Sequence, residues 1–89
     1  MILHVLSARV TGRLCLWLRF DDGTERTVDV RPLLQGPVLS ALEDPSVFAR
    51  VTVDPIARTV VWPNGADLAP EALRALPDIT KLQEGERAA

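Results

Sequence analysis

The sequence is poor in the side chains that carry most enzyme chemistry, since its 89 residues include one histidine, one cysteine and no tyrosine. The single thiol, Cys15, excludes an internal disulfide, and His4 adds only one further ligand for a zinc site. The sequence contains neither a glycine-rich phosphate loop nor a nucleophile elbow. Its aspartates stand at predicted turns, where they bond the local backbone. We therefore predict no enzyme, with no catalytic residue, cofactor site or metal site.

The chain also lacks long apolar runs and an excess of positive charge. No stretch approaches the ~20 apolar residues that cross a bilayer, and the first residues lack the basic start of a signal peptide. The formal net charge is −2, which argues against nucleic-acid binding by the chain on its own. The sequence predicts a cytoplasmic protein without membrane association.

Hydrophobic residues make up 47% of the chain and follow patterns that predict strands. Residues 13–20 alternate strictly, with Leu14, Leu16, Leu18 and Phe20 on one side and Arg13, Cys15, Trp17 and Arg19 on the other. A strand over residues 2–10 precedes them through a turn at Thr11-Gly12, and a third strand covers residues 24–30. Arg31-Pro32 ends that strand because proline cannot donate to a ladder.

The register of the second and third strands follows from their turn. A two-residue Asp22-Gly23 turn would place Leu16 opposite Asp29 and bury a carboxylate. A three-residue loop over residues 21–23, with Gly23 in the left-handed conformation, places Leu16 opposite Val28 instead. The second register keeps one face apolar, and we predict it.

The second half of the chain predicts shorter elements. A helical pattern covers residues 38–43, with Val38, Leu39 and Leu42 on one stripe, and Phe48 is expected to be buried. Residues 50–53 and 59–62 predict a hairpin. A helix over residues 70–76 follows Asp67, whose carboxylate is placed to cap it.

These elements predict an α+β fold, with an antiparallel three-stranded meander, a second β-hairpin and two or three short helices. We assign residues 1–77 to a single domain and residues 78–89 to a polar, partly disordered C-terminal tail. A chain of this length buries a modest core, so a protein partner or a second copy would add to its stability.

The two tryptophans have different predicted roles. Trp62 shares a strand face with valine and is predicted to pack in the core. Trp17 shares its face with Arg13 and Arg19, a composition typical of an interface hot spot, and Arg26 completes this candidate face. The same residues are the candidate platform for nucleic acid. The sequence leaves open whether a helix covers this face.

Two stretches resemble the bacterial domain-of-unknown-function family 2442. The first runs from the leucine-rich strand through an acidic-glycine turn to residues 29–34, and the second reads Trp-Pro-Asn-Gly-x-Asp-Leu-x-Pro over residues 62–70. The family-motif residues, which we interpret as mainly structural, are Gly23, Asp29, Trp62, Pro63, Asn64, Gly65, Asp67 and Pro70. The resemblance covers residues 2–76 and implies a small α+β domain without an established enzymatic activity or assigned catalytic residues.

The resemblance also implies a partner, because many relatives are encoded beside a second small protein in an arrangement that looks like a toxin–antitoxin pair. The predicted function is a non-catalytic protein-interaction domain, the antitoxin-like partner in a two-protein bacterial module. Its partner would be the product of an adjacent gene, and a homo-oligomer stays open. The alternative is a regulatory module that binds nucleic acid or a small ligand through the face of Trp17 and its arginines.

Overall fold

The computed structural model describes residues 2–81, so the predicted tail over residues 78–89 falls within it only as far as Lys81. The strands of this part are β1 (Val5–Gly12), β2 (Cys15–Phe20), β3 (Glu25–Asp29), β4 (Thr52–Val53), β5 (Val60–Val61) and β6 (Asp67–Leu68). The helices are α1 (Gly36–Ser40), α2 (Pro45–Phe48) and α3 (Pro70–Ala75), and single 3₁₀ turns cover Arg31–Leu33 and Ala41–Glu43. None of these helices has the length and apolar character needed to span a membrane.

The strands form two antiparallel sheets, ordered β1-β2-β3 and β4-β5-β6. The predicted α+β fold is therefore confirmed, and the meander is the first sheet. The second hairpin is confirmed as β4 and β5, with Val53 opposite Val60. It gains a third strand that the sequence did not predict, because β6 is only two residues long and too short to show an alternating pattern.

The β2–β3 hairpin has the predicted three-residue loop. Gly23 adopts φ +88°, and Leu16 pairs with Val28 as expected. The amide of Val30 donates to the carbonyl of Leu14 at 2.9 Å, which continues the same register beyond the strands. A left-handed glycine thus sets which side of β3 faces the core.

The β1–β2 turn differs from the prediction. It lies at Arg13-Leu14 rather than at Thr11-Gly12, so β1 extends to Gly12 and β2 begins at Cys15. Leu14 has φ +55°, a conformation that costs a non-glycine residue about 1–2 kcal/mol. Its side chain is only 2% exposed, and burying a leucine contributes a comparable free energy. The strain is thus offset by packing.

Apolar side chains from both sheets and the connecting segments meet in one core. The predicted inner row of β2 is buried throughout, and Leu42, Phe48 and Leu73 join it from the helical segments. Val38 differs from the prediction, since it is 49% exposed and the helix over Gly36–Ser40 turns it away from the core.

Trp62 is buried, as predicted, and connects the second sheet to α2. Its ring stacks on Phe48 with centroids 5.7 Å apart, and its indole Nε1–H donates to the carbonyl oxygen of Phe48 at 3.0 Å. Asp67 differs from the prediction because it pairs with Val61 in β6, and the residue before α3 is Ala69, which provides no side-chain cap.

An ion pair joins α3 to the β2–β3 turn. Arg74 Nη1 lies 2.5 Å from Asp22 Oδ2, and the guanidinium also lies 5.5 Å from the ring of Phe20. The hydrogen bond from Arg74, followed by those from Thr24, lowers the pKa of Asp22 to about 2. The helix is therefore held to the first sheet by one charged contact at its outer side and by Leu73 at its inner side.

We expect Trp62→Phe to lower the free energy of unfolding by about 2 kcal/mol, because it removes a buried hydrogen bond and part of a packed ring. Trp17→Phe is the matched control and should cost less than about 1 kcal/mol, since that indole is half-buried and its hydrogen bond is long. Urea denaturation followed by circular dichroism measures both. Equal losses in the two variants would contradict the assignment of Trp62 to the core.

We expect Asp22→Asn to weaken the acid dependence of stability. The folded state holds the pKa of Asp22 below its ordinary value of 3.8, so the ionised carboxylate stabilises the fold above that value. This contribution disappears as pH falls from 3.8 to about 2. The difference in melting temperature between wild type and variant should therefore be present at neutral pH and vanish through that window.

Asp67→Asn removes an exposed carboxylate from β6 and controls for the change in net charge. The role of the ion pair would be contradicted if the difference in melting temperature between wild type and Asp22→Asn were as large at about pH 2 as at neutral pH.

Candidate functional site

The outer side of the first sheet carries the tryptophan that the sequence marks as a candidate contact. Residues paired across neighbouring strands point to the same side of a sheet, and Trp17 pairs with Arg9 of β1 and Thr27 of β3. Arg19 pairs in the same way with Ser7 of β1 and Glu25 of β3. We call the resulting surface the Trp17 face, and its six residues are Ser7, Arg9, Trp17, Arg19, Glu25 and Thr27.

The indole of Trp17 is held between two charged side chains. The guanidinium carbon of Arg9 lies 4.7 Å from the ring centroid, and Nε1–H donates to Oε1 of Glu25 at 3.3 Å. A cation over an exposed indole contributes about 0.5–1 kcal/mol. Trp17 is half-buried. The ring therefore has a defined orientation while part of it remains open to a partner.

The Trp17 face has the opposite charge balance to the chain. Two guanidinium groups, those of Arg9 and Arg19, stand against the carboxylate of Glu25, whereas the whole chain has a formal charge of −2. The carboxylate of Asp29 follows on the same side of β3 but is already bound to Arg31. Neither Arg9 nor Arg19 takes part in the ion pairs found between residues 2 and 81, which join His4 to Asp21, Asp29 to Arg31 and Asp22 to Arg74.

The structure redraws the predicted set of arginines around Trp17. Arg19 lies on the face as expected, but Arg26 pairs with Leu18 and therefore points to the opposite side of the sheet. Arg13 lies in the β1–β2 turn at the end of the strands rather than on the sheet face. Arg9 takes its place beside Trp17. The sequence carried no simple signal for Arg9, because a regular ladder from a turn at residues 13–14 would place Val10 opposite Trp17. The register shift between Val10 and Gly12 brings Arg9 there instead.

The family-motif residues lie in turns, in short strands and at element ends. Asn64 accepts a hydrogen bond from the amide of Ala66 at 3.0 Å and donates to the carbonyl of Val38 at 3.2 Å, which ties this turn to α1. Gly65 has φ +89°. Pro63 precedes Asn64 in the same turn, Pro70 is the first residue of α3, and the carboxylate of Asp29 accepts hydrogen bonds from Arg31. These contacts fix the local course of the chain, and Asp29 also lines a shallow groove.

The remaining candidate groups for chemistry are also engaged locally. Nδ1 of His4 lies 2.8 Å from Oδ2 of Asp21, whose pKa is lowered, first by the hydrogen bond from the His4 backbone amide and then by that from its ring. The thiol of Cys15 is buried and lies 3.3 Å from the carbonyl oxygen of Arg13. Between residues 2 and 81, no three histidine, cysteine or acidic side chains cluster as metal ligands would.

Two concave regions in the described part of the chain are lined by residues outside the Trp17 face. The larger, of about 480 Å³, is a shallow groove lined by Asp29, Arg31, Pro32, Pro77 and Ile79. The smaller, of about 160 Å³, lies at the β1–β2 turn and is lined by Val10, Gly12, Arg13, Leu14, Pro45 and Phe48. The charged groups of the larger groove are already bound to each other, because Arg31 forms an ion pair with Asp29. Neither region presents the paired polar groups of a hydrolytic centre.

Comparison with known proteins gives one family. No curated protein and no solved structure matches the chain. Residues 5–76 match the family described as Protein of unknown function (DUF2442), which covers both sheets and α3. The chain therefore belongs to domain-of-unknown-function family 2442.

Proposed function

We propose that this chain is a non-catalytic cytoplasmic protein-interaction domain, the antitoxin-like member of a two-protein module, and that its partner binds the Trp17 face. The observation that carries the proposal is the half-buried Trp17, oriented by Arg9 and Glu25 on an open sheet face. Tryptophan and arginine are the residues most enriched among those that dominate binding energy at protein interfaces.

The ordering of the indole favours binding over a purely structural role. A side chain that is already oriented loses little conformational entropy when a partner covers it. The part of Trp17 that remains exposed would gain the free energy of burial in the complex, about 25 cal/mol per Å² of apolar surface. A core tryptophan such as Trp62 is 3% exposed and offers no such gain.

The charges of the face indicate the chemistry of the partner. Arg9 and Arg19 have no ion-pair partner between residues 2 and 81, so a carboxylate-rich surface would find two unneutralised guanidinium groups. Arginine pairs with carboxylates through two parallel hydrogen bonds, which adds orientation to attraction. We therefore infer an acidic partner surface with an apolar centre to cover the indole.

The state of the carboxylates supports a function without catalysis. Hydrogen bonds lower the pKa of Asp21, Asp22, Asp29, Asp44 and Asp78, in each case from groups within the chain. A general acid that works near neutral pH needs a raised pKa instead. These five carboxylates are therefore ionised at neutral pH and are not suited to act as general acids there.

Binding of single-stranded nucleic acid through the same face is the competing function. It is favoured by the guanidinium of Arg9 over the indole, since nucleic-acid platforms combine aromatic and basic side chains. The same contact weakens it, because Arg9 already covers one side of the ring on which a base would stack. The net charge of −2 also opposes phosphate binding.

The proposal predicts that the partner depends on the Trp17 face. Tagged wild-type chain, Trp17→Ala and Arg19→Ala are expressed in the native host, and co-purified proteins are quantified by mass spectrometry. We expect one stoichiometric partner with the wild type and at least about tenfold less with either variant, because each removes a central contact. Val38→Ala and Arg50→Ala change exposed residues off the face and should retain the partner.

Absence of a stoichiometric partner, together with a monomeric solution mass, would overturn the proposal. Salt-dependent binding of an oligonucleotide by the purified chain that is lost in Arg19→Ala would support the nucleic-acid function in its place.

A further inference from the structure

Within residues 2–81, the chain itself covers the outer edge of β3 at Thr27. In the β2–β3 hairpin, the amide of Phe20 donates to the carbonyl of Thr24, and the amide of Val30 donates to the carbonyl of Leu14. Hydrogen bonding alternates along a strand, so the even-numbered residues of β3 bond to β2 and the peptide groups of Thr27 point away from it. A sheet edge of this kind is open to pairing with another segment unless something covers it.

The covering segment comes from the end of the described chain. The amide of Thr27 donates to Oδ1 of Asp78 and to Oγ1 of Thr80, both at 3.2 Å, and the amide of Ile79 donates to the carbonyl of Thr27 at 2.7 Å. We call residues 78–80 the strap. The strap forms hydrogen bonds with both the backbone amide and the backbone carbonyl of Thr27, a residue that is only 5% exposed.

The strap is held in shape by its own hydrogen bonds. The amide and the hydroxyl of Thr80 both donate to Oδ1 of Asp78, at 3.1 and 2.5 Å. The hydrogen bonds from Thr80, with smaller contributions from Thr27 and Arg26, lower the pKa of Asp78. The strap therefore has the form Asp-x-Thr. Its two side-chain oxygens, from Asp78 and Thr80, accept hydrogen bonds from the amide of Thr27, and the amide of the middle residue, Ile79, donates to the carbonyl of Thr27.

The β3 edge lies inside the part of the chain that matches the family, whereas the strap lies outside it. The match to the family covers residues 5–76, so it includes β3 but ends before the strap. Thr27 also belongs to the Trp17 face, where it is paired with Trp17. A partner on that face would therefore meet the strap at its border, and the groove lined by Pro77 and Ile79 adjoins the same place.

We propose that the β3 edge at Thr27 is a docking site for an Asp-x-Thr turn of the protein partner, and that the strap is its intramolecular competitor. The proposal rests on the proposed function and adds the chemistry of the partner segment. An acidic turn also agrees with Arg9 and Arg19 of the neighbouring face, which form no ion pair with residues 2–81. Because the strap is tethered, it competes at an effective concentration on the order of millimolar, so a partner segment displaces it only when other contacts assist.

The chain supplies its own probe for a test. A fluorescein-labelled peptide with the sequence of residues 76–81, Leu-Pro-Asp-Ile-Thr-Lys, is titrated with full-length chains and followed by fluorescence anisotropy. The double variant Asp78→Ala/Thr80→Ala weakens the strap, and Thr52→Ala/Asp67→Ala is the matched control at exposed positions of the second sheet. We expect the strap variant to bind the peptide at least about tenfold more tightly than the wild type or the control.

The amide of Thr27 provides a second readout by hydrogen exchange. Its exchange should accelerate in the strap variant and slow again when the peptide is added, while the control variant behaves as the wild type. A peptide with alanine in place of its aspartate and threonine should neither bind nor protect. A folded strap variant that does not bind the peptide, or that keeps Thr27 protected, would overturn the docking site.

Failure of this proposal is distinguishable from failure of the proposed function. Loss of peptide binding with partner capture that still depends on Trp17 overturns only the docking site at Thr27. Absence of any captured partner overturns the interaction function and, with it, the role of the strap as a competitor of that partner.

Discussion

The inner row of β2, formed by Leu16, Leu18 and Phe20, is the feature on which the rest of the structure depends. All three side chains have 0% exposure, and β2 is the central strand of its sheet. Side chains alternate along a strand, so burial of this row forces Trp17 and Arg19 to the opposite side. A register slip of one residue would exchange the rows and bury an arginine. The surface proposed for binding is thus fixed by the core behind it.

Trp62 performs a related task for the second sheet, whose three strands are each two residues long. Strands this short have few ladder hydrogen bonds, and their stability depends on packing. The stack of Trp62 on Phe48 and the hydrogen bond to its carbonyl supply that packing across to α2. The Trp-Pro-Asn-Gly stretch that marks the family therefore marks a folding element, and its aromatic side chain is unavailable to a ligand.

The sequence was sufficient wherever a single local rule decided the geometry. Gly23 and the cost of burying Asp29 together determine the β2–β3 register. Alternation assigned Trp17 to the side of β2 opposite the leucines, although it left open whether that side is covered, and the strand pattern placed Trp62 in the core. It was insufficient where a local preference was overridden. A left-handed leucine at residue 14 violates the usual preference for glycine and moved the β1–β2 turn. A register shift between Val10 and Gly12 then placed Arg9 opposite Trp17. The contacts of Thr27 with Asp78 and Thr80 join residues 51 and 53 positions apart, beyond the reach of any pattern.

The different environments of Trp17 and Trp62 also bear on the proposed function. Most substitutions of the residues that shape the turns or fill the core lower the stability of the fold. The Trp17 face is less constrained, since Arg9 and Arg19 are exposed and do not contribute to the core. A partially exposed tryptophan flanked by Arg9 and Glu25 adds little to the stability of the isolated domain, whereas a complementary partner would bury its exposed part. The fold therefore constrains the Trp17 face less than the core, which leaves this face the better candidate for a binding surface.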